Sequence, residues 1–276
     1  MPLLHAIVLG IVQGLTEFLP ISSSGHLIVV PWLFGWNDLE DPSIKKAFDV
    51  ALHIGTLVAV LAYFWSDLLG YVRKGIRALW DAEARATFEG RMAWLLVLSA
   101  VPAAIVGALF EDFIDEQLGR IPLIALSLIL FGLLLWWADT LPQRRHVADF
   151  RAKQSLLTGA AQVLALNPGT SRSGITITAN RMQGFDRDAA ARISFLMSLP
   201  VTLGAIVFKV GKLVVEGIPD GLLAAMIAGV ITSAVAGWVA VWGTLHLVRT
   251  HSFAPFVVYR IALGVGLLLV WGLGWR

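Results

Sequence analysis

The chain has 276 residues, of which 57% are hydrophobic and only 14% are charged, whereas a soluble globular domain has roughly 25% charged residues. It contains no cysteine, which excludes disulfides and thiolate metal sites. The net charge is +2 and no P-loop, dinucleotide-binding or HExxH pattern occurs, so we expect no nucleotide site, zinc protease or nucleic-acid partner. This composition is typical of an integral membrane protein.

The first predicted element is apolar but interrupted. Residues 3–35 are broken by Glu17, by Pro20 and by the run Ser22-Ser23-Ser24-Gly25-His26. Each half is shorter than the roughly 20 residues that a helix needs to cross the hydrocarbon core. Lipid tolerates broken backbone only where protein or a cavity surrounds it, so the pattern predicts a re-entrant helical hairpin.

Three uninterrupted apolar segments follow, and each is long enough to span the membrane: 48–65, 92–110 and 121–138. Residues 155–182 are interrupted again, by Asn167-Pro168-Gly169 and by Ser171-Arg172-Ser173-Gly174, and predict a second re-entrant hairpin. Three more spanning segments complete the chain: 193–210, 222–248 and 254–275. We therefore predict an all-α integral membrane protein that forms a single domain, residues 1–276, with six spanning helices.

The two interrupted regions resemble each other. Five residues recur at a constant offset along the chain: Gly10, Gln13, Ser22, Ser24 and Gly25 correspond to Gly159, Gln162, Ser171, Ser173 and Gly174. Each half then consists of one hairpin and three spanning helices, which predicts two repeats, 1–140 and 141–276. Broken segments at corresponding positions of two repeats indicate a site near the bilayer midplane.

Charge placement predicts the orientation. Two connecting segments are rich in basic residues: Arg73, Lys74, Arg77, Arg85 and Arg91 in the first, and Arg144, Arg145, Arg151 and Lys153 in the second. The connection at 111–120 has one basic residue among four acids. By the positive-inside rule the basic segments are cytoplasmic and 111–120 is external. The hairpins then enter from opposite sides, so the repeats are inverted and the loop tips meet near the midplane.

Glu17 lies in an apolar run, and a carboxylate at bilayer depth is costly unless it is paired or bound to a cation. Gln13 lies one turn earlier on the same helix face. Together they offer oxygen ligands for Mg²⁺ or Ca²⁺. A buried Glu17 that is hydrogen-bonded to a neighbouring helix is the alternative.

The first serine run is both a helix cap and a candidate phosphate site. Ser22, Ser23 and Ser24 precede Gly25 and a new apolar run, as capping residues do. The same geometry directs free backbone N–H groups and the positive end of the helix dipole toward an anion. His26 adjoins this run and is a candidate base, acid or phosphate donor, or else a structural histidine.

Arg172 stands in the second loop, where a guanidinium needs an anion. Phosphate suits its planar fork, and neutralising Glu17 is the alternative. Its neighbours are candidates for substrate binding: Ser171, Ser173, Gly174 and Thr176.

Asp49 and His53 share one face of the first spanning helix and are either neighbours of the site or interfacial residues.

Two runs of the chain resemble the two signatures of the undecaprenyl-diphosphate phosphatase, or bacitracin-resistance, family. They are Gln13-Gly14-Leu15-Thr16-Glu17-Phe18-Leu19-Pro20-Ile21-Ser22-Ser23-Ser24-Gly25-His26 and Pro168-Gly169-Thr170-Ser171-Arg172-Ser173-Gly174. The resemblance covers essentially the whole chain. It implies hydrolysis of undecaprenyl diphosphate to undecaprenyl phosphate and inorganic phosphate, which recycles the lipid carrier of peptidoglycan synthesis and confers bacitracin resistance. It implies a divalent cation, Mg²⁺ or Ca²⁺.

The resemblance also implies roles for individual residues. The metal motif falls on Gln13 and Glu17, the essential serine and histidine on Ser23 and His26, and the phosphate-binding arginine on Arg172. Some members of the family have Glu where this chain has Gln13, so this chain offers one carboxylate, that of Glu17, where those members offer two. The resemblance further implies a multi-pass protein of the bacterial inner membrane, a site that opens to the periplasmic side, and a homodimer.

Two alternatives stay open at this point. The nucleophile is either Ser23 activated by His26 or a metal-bound water. Inverted repeats with broken helices are also transporter architecture, so the second candidate function is a transporter or flippase of a polyprenyl phosphate lipid. The other large family of lipid phosphatases fails, because it needs a histidine six residues after the arginine, where this chain has Thr178.

Overall fold

The computed structural model describes residues 1–110 and 119–274, and for residues 212–216 only the backbone. In these ranges the chain is helical and forms no strand. The helices in chain order are α1 Leu3–Phe18, α2 Ser23–Phe34, α3 Pro42–Tyr63, α4 Trp65–Arg77, α5 Ala82–Ala86, α6 Phe88–Leu109, α7 Ile121–Asp139, α8 Ala152–Gln162, α9 Arg172–Met182, α10 Arg187–Glu216, α11 Leu223–Val248 and α12 Ala254–Gly272. Short 3₁₀ helices lie at Val147–Asp149 and Val163–Leu166.

Five of these helices are long and apolar enough to cross a membrane: α6, α7, the Arg187–Gly211 part of α10, α11 and α12. A sixth candidate span arises only if α3 and α4 count as one, and these two helices are bent by 87°. The predicted all-α class and the multi-pass character are therefore confirmed. Most of the predicted external connection, and the last residue of the predicted helix 254–275, lie outside the described residues.

Several helices begin earlier than their apolar segments. The predicted helix 48–65 starts at Pro42, because the Asp41 side chain accepts a hydrogen bond from the Ser43 backbone N–H at 2.8 Å and caps it. The predicted helix 193–210 starts at Arg187, where Asp186 accepts from the Ala189 N–H at 2.7 Å. Polar caps of this kind extend the helices beyond the hydrophobic stretches that hydropathy detects.

The two interrupted regions are broken as predicted, and each packs on a helix from the other half of the chain. Helix α1 lies against α11, and α8 lies against α6. The contacts are close enough to require small residues: a Cβ on Gly10 would lie 3.0 Å from the Gly229 carbonyl oxygen, and one on Gly159 would lie 2.5 Å from that of Ser99. Such close packing is typical of helices in membranes.

Asp139, at the end of α7, joins the ends of several helices. Its carboxylate accepts hydrogen bonds from Arg187 at 2.7 Å and from the Phe253 backbone N–H at 3.0 Å. The fully buried Arg181, at the end of α9, lies 3.5 Å from the same carboxylate and donates to the carbonyl oxygens of Asp139 and Leu141. This cluster fixes α9 and α12 relative to α7.

Candidate functional site

The helix breaks after α1 and before α9 have the same local geometry. Ser22 and Ser171 are the N-caps of α2 and α9, with φ of 79° and 74°, and they are the only non-glycine residues with positive φ among those described. Their hydroxyls accept hydrogen bonds from the N–H groups of Gly25 at 3.3 Å and Gly174 at 3.1 Å. A positive φ costs a non-glycine residue on the order of 1–3 kcal/mol, so tertiary contacts must hold both serines in place.

Those contacts come from the other loop, directly at Ser22 and, at Ser171, through the Ser173 hydroxyl 3.1 Å away. The Gly169 N–H donates to the Ser22 hydroxyl at 3.0 Å, and the Ser173 hydroxyl donates to the Leu19 carbonyl oxygen at 2.9 Å. The two serine-containing loops are therefore directly bonded to each other, as the sequence predicted. In this arrangement Ser173 joins the two loops and is fully buried.

Glu17, at the end of α1, is the centre of the joined loops. Its Oε1 accepts a hydrogen bond from Arg172 at 2.7 Å, and its Oε2 accepts from the Ser23 hydroxyl at 2.6 Å. The Gln13 amide also donates to Oε2, at 3.2 Å. Both partners of the ion pair are largely buried, with 14% of Arg172 and 9% of Glu17 exposed. Three residues, one from each of α1, α2 and α9, thus converge on one carboxylate.

Phe18, the residue after Glu17, anchors the end of α1 in the core. Its ring is fully buried and meets Phe195 of α10 edge to face, with ring centroids 5.5 Å apart. Such pairs stabilise a core beyond the area that they bury. The contact fixes the end of α1, and with it the direction of the Glu17 side chain.

His26 is held by groups other than Ser23. Its Nδ1 lies 2.6 Å from the Ser22 carbonyl oxygen, and its Nε2 lies 2.8 Å from the Tyr259 hydroxyl. A carbonyl oxygen can only accept, so Nδ1 carries a proton, and in the neutral ring Nε2 accepts from Tyr259. The structure therefore pairs the Ser23 hydroxyl with Glu17 and not, as one sequence hypothesis had it, with His26.

Arg260 of α12 is a fully buried residue that contacts both loops. Its guanidinium donates to the carbonyl oxygens of Pro20 at 3.0 Å in the first loop, and of Gly169 and Thr170, both at 2.9 Å, in the second. It also donates to carbonyl oxygens of α7, those of Leu128 at 3.1 Å and Ser127 at 3.4 Å. Every one of these acceptors is backbone, so the residue holds the loops by their main chain.

Sequence reasoning missed both Arg260 and Tyr259. A lone arginine within a predicted spanning helix is a signal, because ionisable residues at that depth face the protein interior. Tyr259 gives no comparable signal, since tyrosine is common in membrane proteins.

Other candidates take positions beside the centre. Thr176 is fully buried, and its hydroxyl bonds to the Arg172 carbonyl oxygen at 2.8 Å and to the Ser194 hydroxyl at 2.7 Å. It therefore faces α10, and its role in substrate binding stays a prediction. Ser24 is exposed, with its hydroxyl 3.5 Å from that of Ser22. His53 donates to the Asp49 carbonyl oxygen at 2.7 Å and lies within electrostatic range of Glu17, which makes it a neighbour of the site.

Comparison with known proteins agrees with the signatures in these loops. The family described as bacitracin resistance protein BacA matches residues 6–266. The chain belongs to the BacA family. Relatives named undecaprenyl-diphosphatase cover nearly its whole length. The protein from Geobacter metallireducens is 49% identical over 269 residues, which are 96% of this chain and 97% of that protein. The protein from Moorella thermoacetica is 46% identical over 275 residues, 99% of both chains, and that from Chromohalobacter salexigens is 44% identical over 274 residues, 97% of this chain and 98% of that one.

Proposed function

We propose that this protein hydrolyses undecaprenyl diphosphate to undecaprenyl phosphate and inorganic phosphate. The observation that carries the proposal is the cluster of Arg172, Glu17 and Ser23 at the junction of two helix N-termini. It combines a cation for phosphate, a hydroxyl nucleophile and a carboxylate base. The relatives that share nearly the whole chain carry the name of this activity.

The two halves of the chain form an inverted repeat in this proposal. Three observations support it. Ser22 and Ser171 have matching backbone geometry. The first helix of each hairpin packs on a spanning helix of the other half, α1 on α11 and α8 on α6, and the last helices of the two halves, α7 and α12, pack on each other. Residues 3–35 and 155–182 are then re-entrant hairpins whose tips lie near the midplane of the bilayer. Polar backbone at that depth is stable because the other loop and Arg260 satisfy it.

The distribution of arginine and lysine supports a bacterial inner-membrane protein whose site opens to the periplasmic side. The isoprenoid tail stays in the lipid while the diphosphate reaches Arg172. We include a homodimer in the proposal on the basis of the resemblance alone. Cross-linking in native membranes, with a monomer band as the contradicting result, tests it.

In the mechanism that we propose, the substrate first competes for Arg172. Phosphate oxygens accept two parallel hydrogen bonds from a guanidinium, so a diphosphate draws Arg172 away from Glu17. Without that cation the carboxylate becomes a stronger base. Glu17 then accepts the proton of the Ser23 hydroxyl, to which it is already bonded at 2.6 Å.

The Ser23 oxygen attacks the terminal phosphorus while the bond from that phosphorus to the bridging oxygen breaks, and the lipid monophosphate leaves. Water then cleaves the phosphoserine and releases inorganic phosphate. We assign His26 to the proton transfers of this second step, since its Nε2 already bonds to a partly exposed hydroxyl. Direct attack by water is the alternative, and trapping of a phosphoserine at Ser23 distinguishes the two.

The divalent cation of the proposal fits the donors around Glu17. The side-chain oxygen of Gln13 is buried and has no hydrogen-bond partner in the described structure, so it is available as a ligand. No group of three or more histidine and acidic residues surrounds it in the described part of the chain. A cation with few protein ligands keeps water and phosphate oxygens as its others, as Mg²⁺ commonly does. When bound it would offset the negative charge of the phosphates.

We expect phosphate release from purified protein to fall at least about tenfold in EDTA and to return with Mg²⁺ or Ca²⁺. The Gln13→Ala variant should need a higher cation concentration for half-maximal release, because it lacks one oxygen ligand. Its matched control is Gln162→Ala, the corresponding position in the other repeat, where the buried amide makes no hydrogen bond to any described residue. Full activity in EDTA after exhaustive dialysis would contradict a role for the cation.

The flippase alternative is tested in vesicles. If the protein hydrolyses its substrate, vesicles that contain it release inorganic phosphate when undecaprenyl diphosphate is added. Vesicles that contain the Glu17→Ala variant should release none. Movement of labelled undecaprenyl phosphate across the bilayer without any phosphate release would favour the transporter instead.

Replacing Tyr259 by phenylalanine should reduce kcat about 5- to 10-fold, as expected when a hydrogen bond of about 1 kcal/mol is lost. The ring contact with His26, at 5.7 Å between centroids, is retained, so KM should change little. Steady-state phosphate release measures both constants. Tyr63→Phe, which removes a hydroxyl remote from His26, is the control, and equal effects of the two substitutions would contradict the assignment.

A further inference from the structure

A second candidate binding site lies away from the loops, where α4 meets α6. Helix α4 leaves α3 at 87°, so it runs along the membrane plane if α3 crosses it. One side of this segment presents large apolar residues that are 53–71% exposed: Trp65, Leu69, Val72, Ile76, Leu79 and Trp80. A helix with such a face lies at the boundary between headgroups and acyl chains.

Behind the end of α4, a cavity of about 530 Å³ opens between α5, α6 and the start of α8. Its wall is mainly apolar, with Leu79, Leu95 and the Trp94 ring, which is fixed because its indole N–H donates to the Gly75 carbonyl oxygen at 3.0 Å. The cavity has the size of a small-molecule site. Its apolar wall is suited to a hydrocarbon chain.

Three arginines line the same cavity: Arg85, Arg91 and Arg151. Arg85 is fixed by hydrogen bonds to carbonyl oxygens at the end of α4, at 3.0 Å to Ala78. Arg91 and Arg151 are exposed, and their guanidinium groups make no hydrogen bond or ion pair with any residue that the structure describes. None of the described lining residues is acidic, so no carboxylate within the cavity pairs with these guanidinium groups.

An amphiphile with an anionic head matches both features. Guanidinium groups bind phosphate through parallel hydrogen bonds, and basic pockets between helices at a membrane surface bind anionic headgroups. A free phosphate ion would leave the apolar wall uncovered, and a zwitterionic lipid would leave the positive charge uncompensated.

We propose that the cavity lined by Arg85, Arg91 and Arg151 binds the phosphate headgroup of an anionic phospholipid, whose acyl chains lie along Trp94 and the exposed face of α4. The site is separate from Glu17 and Arg172, so the proposal stands independently of the hydrolytic function. It assigns a lipid class, phosphatidylglycerol or a similar anionic phospholipid, to a surface that the catalytic loops do not use.

Native mass spectrometry of the purified full-length protein tests the proposal. The protein is titrated with phosphatidylglycerol and, in parallel, with phosphatidylcholine of the same acyl chains. We expect one phosphatidylglycerol per chain to bind at least about tenfold more tightly than phosphatidylcholine. The double variant Arg91→Gln/Arg151→Gln should lose this preference, while its phosphate release stays normal and shows that it is folded.

The matched control is Arg73→Gln/Arg144→Gln, which removes the same charge from the two basic segments without touching the cavity. It should keep the preference for phosphatidylglycerol. Equal loss in both double variants would show attraction by net charge alone and overturn the site.

Tighter arginine-dependent binding of undecaprenyl phosphate than of phosphatidylglycerol would also overturn it, because the cavity would then hold reaction product. Inorganic phosphate at the same concentration should not compete, and competition by it would contradict the role of the apolar wall.

Discussion

Replacing Arg172 or Glu17 by alanine should lower kcat/KM for phosphate release by about 10³-fold or more. An arginine that stabilises the transferring phosphoryl group contributes on the order of 10³–10⁵ in rate. Before substrate binds, Glu17 pairs with that arginine at 2.7 Å and bonds to the Ser23 hydroxyl, so its removal takes away both the group that orients Arg172 and the base. Phosphate release from purified variants, over a range of substrate concentrations, measures the effect.

The double variant is the sharper test. Residues that act as a unit are not additive, so Arg172→Ala/Glu17→Ala should lose about as much activity as either single variant, rather than the product of the two losses. Each single variant also leaves an uncompensated buried charge, which costs about 3–5 kcal/mol of stability, and the double variant should recover part of it.

A surface pair provides the control for this double-mutant cycle. Arg249 and Asp188 form an ion pair at 2.9 Å but are both far more exposed than Arg172 and Glu17. Such pairs contribute about 0–1 kcal/mol, so the same alanine substitutions there should leave turnover and stability nearly unchanged. Near-normal turnover in Arg172→Ala would contradict the proposed mechanism.

The loops and the spans could be predicted because their signals are local. Glu17, Pro20 and the serine–glycine runs interrupt hydrophobic sequence, and hydrocarbon penalises such residues unless protein surrounds them. The constant offset between the two runs then indicated equivalent positions in two halves. Matching φ values at Ser22 and Ser171 agree with that inference, because equal sequence in equal surroundings adopts equal backbone.

The partners within the site could not be predicted, because they depend on tertiary approach. Ser23 lies six residues after Glu17, across a helix break, so helical spacing gives no expectation that their side chains meet. For His26 the sequence offered Ser23, its neighbour, whereas the fold supplies Tyr259 from 233 residues away. The segment after residue 65 appeared only as a basic connection, since its apolar residues face outward from a helix of 13 residues, which is too short to span the membrane.

The contacts of Arg260 also depend on tertiary approach and could not be predicted from the sequence. Replacing this residue should produce the second large effect that we expect. Arg260→Met should lower the midpoint of thermal denaturation in detergent by about 6–12 °C, which corresponds to about 3 kcal/mol in a protein of this size. The side chain satisfies carbonyl oxygens of both loops and of α7, and a buried acceptor that loses its partner costs about 1–3 kcal/mol. Methionine fills similar space and takes this donor away from the loop carbonyl oxygens, whereas those of α7 keep their bonds within the helix.

Because Arg260 holds both loops by their backbone, turnover should fall with stability even though the residue does not contact the Glu17 carboxylate in the structure. Arg260→Lys separates the two effects. A lysine keeps the charge but cannot reproduce the planar fork that reaches Pro20 on one side and Thr170 on the other. We therefore expect Arg260→Lys to remain folded at 25 °C while kcat falls at least about 10²-fold, as small displacements of catalytic groups can cost.

Arg249→Met, at an exposed arginine, is the control for the first substitution. A folded Arg260→Lys protein with normal kcat would show that the loops hold their geometry without the guanidinium, and that the bonds from Gly169 to Ser22 and from Ser173 to Leu19 suffice.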